Sequence, residues 1–113
     1  MNDFKMREYS LRKKEADAVL KKYPKSIPII IFPKYENAPK LKKHKYIVPN
    51  SLKCAHLFNI IRTQLDIQKE TALFFFLDEK ILLSAATPLI DIYKYKNDDG
   101  FLYIHYSLEN VFG

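Results

Sequence analysis

Along this chain the spacing of apolar residues switches between helical and strand periods in one order, and that order constrains the fold more than any single motif. Residues 11–22 (LRKKEADAVLKK) are strong helix formers with Leu11, Ala18 and Val19 at helical spacing; Ser10 is placed to cap them and Tyr23-Pro24 to stop them. Ile27 to Phe32 (IPIIIF) is a β-branched strand. Pro28, which has no N–H to give a ladder, puts that strand at a sheet edge or where the ladder is interrupted. A polar, proline-containing loop from Pro33 to Lys42 leads to a second short strand, Lys45 to Val48, stopped by Pro49, so the pair reads as an antiparallel hairpin with a long loop. Ser51 is placed to cap a second helix over 52–65, where Leu52, Leu57, Ile60, Ile61 and Gln64 put most apolar groups on one face. Residues 72–77 (ALFFFL) read as a buried central strand. Leu89 to Tyr95 reads as a short helix, Asn97-Asp98-Asp99-Gly100 as a turn, and Phe101 to Tyr106 as a final strand of period two.

Without its first helix this order is ββαββ with an accessory helix, the plan of a β-grasp. The expected class is α+β: a ubiquitin-like β-grasp with a mixed four-stranded sheet and an N-terminal helical extension. Its first and last strands are expected to pair in parallel at the sheet centre, an inference from the fold plan and not from any sequence signal. At 113 residues the chain is one domain, able to bury roughly 65% of its unfolded surface. It divides into a helical extension (1–24), a core (25–107) and a tail (108–113).

Composition excludes several activities. The only glycines are Gly100 and Gly113, so neither a Walker loop nor a G-x-G-x-x-G fingerprint can be written. His44, His56 and His105 lie far apart with no Cys or His at metal-ligand spacing, and no serine has the flanking glycines of a nucleophile elbow. The lone Cys54 falls in a helical segment and reads as a buried thiol suited to a reducing compartment. No apolar run approaches the ~20 residues that span a bilayer, and Met1-Asn2-Asp3-Phe4-Lys5 does not read as a secretory signal. A non-enzymatic intracellular protein is expected, with no cofactor and no metal.

Charge is divided unevenly. Residues 1–53 carry 14 Lys/Arg against 5 Asp/Glu, whereas residues 54–113 carry 5 against 8. A basic N-terminal half implies nucleic acid, an anionic membrane surface or acidic peptide segments as partners, or simply a solvated face.

The sequence closes on Gly113, carried by Leu108-Glu109-Asn110-Val111-Phe112. A glycine carboxylate has no Cβ to hinder attack at its carbonyl and fits extended in a narrow channel, so another enzyme can activate and transfer it. Such a chain is a substrate of chemistry and not its catalyst; the bland alternative is a chance terminus.

Six blocks then occur in order: Lys22-Tyr23-Pro24, Ile27-Pro28-Ile29-Ile30, Lys45-Tyr46-Ile47-Val48-Pro49, Ala72-Leu73-Phe74-Phe75-Phe76, Asp99-Gly100-Phe101-Leu102-Tyr103-Ile104 and Glu109-Asn110-Val111-Phe112-Gly113. From about Phe4 to Gly113 they resemble the autophagy-related protein eight family, whose animal members include the GABA-receptor-associated proteins. The resemblance implies a modifier that activating and conjugating enzymes join through Gly113 to phosphatidylethanolamine, cytoplasmic when free and on autophagosomal or related membranes when lipidated. Two acyl chains satisfy the two-signal requirement for stable anchoring. Many family members carry residues after the glycine that a cysteine protease removes; here none follow, so that step is bypassed or already done. A monomer is expected in solution, with no nucleic-acid partner. The alternatives are conjugation to a protein lysine and a basic nucleic-acid-binding domain.

The resemblance also implies recognition of cargo receptors and adaptors through aromatic-x-x-aliphatic motifs, added as a strand beside the second strand. Carried over by position, the aromatic pocket is Glu15, Val19, Pro28, Ile30, Lys45, Ile47 and Phe101. The aliphatic pocket is Tyr46, Val48, Pro49, Leu52, Leu57 and Ile60. Lys40, Lys42, Lys43 and Lys45 form the cluster that acidic ligand flanks would seek. The bland readings are core for Val19, Ile30, Leu57 and Ile60 and edge protection for Lys45. Lys25-Ser26 stands where the family usually has Asp-Arg, Phe32-Pro33 where it often has Glu-Lys, and Lys80-Ile81-Leu82-Leu83 where a proline-bearing loop is usual. These departures bear on ligand selectivity more than on ligand class.

Overall fold

The computed structural model describes residues 3–36, 38–78 and 81–108. A 3₁₀ turn at Asp3–Met6 precedes helix α1 (Tyr9–Lys22), strands β1 (Ser26–Pro33) and β2 (Lys45–Pro49), and helix α2 (Cys54–Gln64). Strands β3 (Phe74–Leu77) and β4 (Ile81–Leu82) follow, then helix α3 (Leu89–Ile92), a 3₁₀ turn at Tyr93–Tyr95 and strand β5 (Leu102–Ser107). The strands form one sheet in the order β2-β1-β5-β3-β4. β1 and β5 pair in parallel, Ile29 opposite Leu102 and Pro33 opposite Tyr106, and the other pairs are antiparallel. This is the ubiquitin-like arrangement with five strands instead of the expected four. The added strand comes from the apolar Ile81-Leu82, which pairs back onto β3 after Asp78 turns the chain at φ 55°.

Both faces of β1 and β5 are covered, which is why their sequences run apolar almost without alternation. On one face Ile27, Ile29, Ile31, Leu102, Ile104, Tyr106, Phe75 and Leu77 form the main core with Cys54, Leu57 and Ile61 of α2. On the other a smaller cluster of Ile30, Phe101 and Tyr103 packs on Ala16 of α1, with Phe4 and Phe32 against it. The parallel pairing puts β5 at the centre, so both layers close over it.

Three local expectations are corrected or narrowed. Of the two places expected for Pro28, the edge strand is excluded, since β1 lies between β2 and β5, and the gap in the ladder is what the structure has. The Ile31 N–H donates to the His44 carbonyl (2.8 Å), so odd-numbered β1 residues direct their N–H toward β2 and Pro28 faces the β5 side. Pairing with β5 begins only at Ile29, so no ladder donor is lost there. Ser10 does not cap α1: the helix starts at Tyr9 after Glu8, and the Ser10 hydroxyl donates to Glu8 Oε1 (3.1 Å). Its buried contact is Ala16, with Leu11 and Ala18 exposed and Val19 half-buried. Ser51 is likewise too early. Lys53 is the N-cap of α2, and its N–H donates to His56 Nδ1 (3.1 Å), one half of a capping box.

A polar α1 needs an anchor other than apolar area, and the 97–100 turn supplies it. Arg12 Nη1 donates to Asp99 Oδ2 at 2.6 Å, the Tyr103 hydroxyl donates to the same oxygen, and Asp99 Oδ1 accepts the Phe101 N–H at 2.9 Å. The Arg12 guanidinium is held further into its charged form by its bonds to Tyr103 and Asp99, against the effect of burial. Burial first, then the bond to Asp99, raises the Tyr103 phenol, which stays a neutral donor. Gly100 sits at φ +93°, where a Cβ would lie 2.9 Å from the Ala16 Cβ, so a glycine is required on both counts.

Candidate peptide-binding edge

β2 ends the sheet order, so its outer edge has no strand partner among the described residues. Its register places Lys45 opposite Ile30 and Ile47 opposite Pro28 on the α1 face. Tyr46 opposite Ile29 and Val48 opposite Ile27 lie on the α2 face. Residues three apart in an added strand point to opposite faces, because the strand period is two. An aromatic-x-x-aliphatic segment laid on this edge therefore sends one anchor toward each helix.

On the α1 face, Ile30 and Phe101 are fully buried, Pro28 is buried, and Ile47 is 42% exposed. Glu15 of α1 pairs with Lys45 of β2 across the opening and also with Arg7 (3.5 Å). A groove of about 1200 Å³ runs alongside. Of the seven residues expected on this face it is lined by Ile30, Lys45 and Ile47, whereas Glu15, Val19, Pro28 and Phe101 lie outside its lining.

Sequence reasoning missed most of the groove. Asp3, Phe4 and Arg7 enter from the N-terminal turn, Phe32 to Glu36 from the end of β1, and Lys40, Lys43 and His44 from the loop before β2. An isolated phenylalanine in a polar N-terminal stretch was the signal for Phe4; for the rest only the lysine run was legible.

The loop that carries these cations is tied down. His44 extends the β1–β2 ladder, with Nδ1 2.8 Å from the Ile31 carbonyl oxygen. The Tyr46 hydroxyl donates to the Lys43 carbonyl (2.9 Å), and Lys43 Nζ lies 5.3 Å from that ring's centroid. The Tyr106 hydroxyl donates to the Pro39 carbonyl. Burial raises both phenols, Tyr106 to about 12, so they remain donors. Positive charge is thus held next to the α1-face opening, where an acidic segment is favoured.

On the α2 face, Tyr46, Val48 and Leu57 are buried in the main core. Leu52 and Ile60 pack half-buried against it. Pro49, expected with them, is exposed and pairs opposite Ser26, so the two-residue alternation sets it with Lys45 and Ile47 on the α1 face. Leu52 is fixed by its carbonyl, which accepts the Leu89 N–H (2.9 Å). Leu52 and Ile60 present surface here, and Leu57 is fully buried. Gly113 lies outside the described residues.

Cys54 is fully buried, and burial pushes its thiol up to about 11, so it is no thiolate nucleophile. Among the described residues no helix is long and apolar enough to cross a membrane.

Comparisons with known proteins bear on the family and the fold. The family described as autophagy protein Atg8, ubiquitin-like, matches residues 11–113. The chain is 40% identical over 114 residues to autophagy-related protein 8e of Arabidopsis thaliana, covering 97% of this chain and 92% of that one. It is 37% identical over 110 residues to autophagy-related protein 8 of Mycosarcoma maydis, covering 93% and 90%. The crystal structure of Trypanosoma brucei ATG8 superposes with a TM-score of 0.86 at 32% identity over 92% of this chain and 91% of that one. With the parallel β1–β5 core, the helical layer before it and the sequence likeness in agreement, the chain belongs to the Atg8 family of ubiquitin-like, lipid-conjugated autophagy modifiers.

Proposed function

We propose that activating and conjugating enzymes transfer this chain through the Gly113 carboxylate to phosphatidylethanolamine of autophagosomal membranes. Anchored there, it recruits partners carrying aromatic-x-x-aliphatic motifs by strand addition to β2. The observation that carries the recruiting role is the unpaired β2 edge, whose register divides Lys45 and Ile47 from Tyr46 and Val48 between the two faces. Each buried anchor contributes about 1.5–3 kcal/mol, and two anchors plus main-chain pairing, less ordering costs, give affinity on the order of micromolar.

The test is titration of an acidic aromatic-x-x-aliphatic peptide against Tyr46→Ala with Ile47→Ala. Binding should weaken by roughly tenfold or more. Unchanged affinity in the folded double variant would remove this surface from consideration. Conjugation is tested separately with Gly113→Ala, whose added methyl should slow or abolish lipid attachment in a reconstituted reaction. Attachment at the wild-type rate would refute the role of that glycine.

A further inference from the structure

The two most deeply buried residues of the expected aromatic pocket, Ile30 and Phe101, are covered by the chain itself. The Phe4 ring meets Phe101 edge-on at 4.9 Å between centroids and 74°, lies 6.3 Å from Tyr103, and packs against the cluster of Ala16, Ile30, Phe101 and Tyr103. We propose that the N-terminal 3₁₀ turn is an intramolecular occupant of the aromatic pocket, with Phe4 standing where a ligand's aromatic anchor enters, so that turn release and peptide binding are coupled. This rests on the peptide-site reading of the β2 edge and adds its regulation.

The occupant is chemically matched and lightly held. It is an aromatic ring, the same group the pocket is expected to take. Its turn spans only Asp3–Met6 and has no buried residue. Besides the packing of the Phe4 ring, solvent-facing contacts hold it: the Arg7 N–H donates to the Phe4 carbonyl (3.1 Å), Arg12 Nε donates to the Arg7 carbonyl (3.0 Å), the Arg7 guanidinium lies 5.0 Å and Lys45 Nζ 6.0 Å from the Phe4 ring centroid, and the Arg7–Glu15 pair has side chains 46% and 27% exposed. Solvent-screened contacts of this kind add little, so local opening is accessible.

Glu15 links the two states. It pairs with Arg7 of the turn and with Lys45 of the β2 edge. A peptide carboxylate just before the aromatic anchor competes with Glu15 for both cations, loosening the turn as the anchor arrives. An acidic flank thus favours binding and frees the pocket.

The experiment titrates an acidic aromatic-x-x-aliphatic peptide into the full chain and into Phe4→Ala. With the open state populated at about 10%, apparent affinity is reduced about tenfold, and Phe4→Ala should recover that factor. Equal affinity would make Phe4 a bystander, weaker affinity would make it a wall of the pocket, and either overturns the proposal. Independently, peptide binding to the unmutated chain should speed amide exchange at Arg7, whose N–H closes the turn; unchanged or slower exchange overturns it as well. Tyr46→Ala with Ile47→Ala in both backgrounds separates the two readings. Binding indifferent to the β2 changes refutes the peptide site itself, whereas β2-dependent binding indifferent to Phe4 refutes only the occupant.

Discussion

Asp99→Ala should be among the most damaging single changes outside the apolar core, because one carboxylate joins α1 to β5. Its side chain has no exposure, and it accepts from Arg12 (2.6 Å), from the Tyr103 hydroxyl and from the Phe101 N–H (2.9 Å). Removing it leaves a guanidinium whose side chain is only 14% exposed without its anion, with a phenol and a backbone donor in the same layer. Bonds to a charged group contribute about 1.5–3 kcal/mol each, and breaking a buried pair costs about 3–5 kcal/mol. These losses overlap, and water reaches the Arg12 rim, so about 3–4 kcal/mol is expected, a substantial part of the roughly 5–15 kcal/mol a domain has. Thermal unfolding followed by circular dichroism should show a midpoint lowered by about 13–17 °C. Asp17→Ala is the internal control. It breaks the exposed i,i+4 pair with Lys13, whose side chains are 45% and 59% exposed, and should cost less than about 0.5 kcal/mol. Adding Arg12→Met to Asp99→Ala should restore part of the loss, since no unpaired cation then remains. An Asp99→Ala cost equal to that of Asp17→Ala would refute the account of α1 docking.

Gly100→Ala should destabilise by about 2–4 kcal/mol in urea unfolding, from φ +93° and from a methyl 2.9 Å from Ala16; adding Ala16→Gly should relieve the contact but not the backbone strain. Cys54 should resist alkylation at pH 8 until the protein unfolds, and labelling of native protein at the rate of a free thiol would contradict its burial. With its folded pKa raised to about 11, its stabilising contribution is complete below the unfolded value near pH 8.5 and falls away as pH rises toward 11; a Cys54→Ser variant should lack that alkaline slope. Lys45→Glu should weaken binding of acidic-flanked peptides by roughly three- to tenfold at low salt, with a smaller loss at high salt. It faces Glu15 with a like charge, so a salt-independent loss would point to packing instead.

What the sequence determined by itself was local. β-branched and aromatic runs fit a pleated, half-buried surface, so β1, β2, β3 and β5 were legible in outline. The resemblance divided Lys45 and Ile47 from Tyr46 and Val48; the register sets the two pairs on opposite faces, with Pro49 on that of Lys45. Helix starts were less legible, because Ser10 and Ser51 both look like caps and the backbone used Glu8 and Lys53. The tertiary structure alone decided what depends on partners distant in sequence. Pro28 read as an edge residue or a gap in the ladder, and only the β1–β5 register decides for the gap, because its missing donor faces the side where β5 has not begun to pair. β4 is two exposed residues, too short to be specified by pattern, and forms because β3 offers an edge. Nothing local told that Phe4 would lie on Phe101 across most of the chain, or that Asp99 would hold Arg12; both contacts exist because the parallel pairing carries the end of the chain back beneath its first helix.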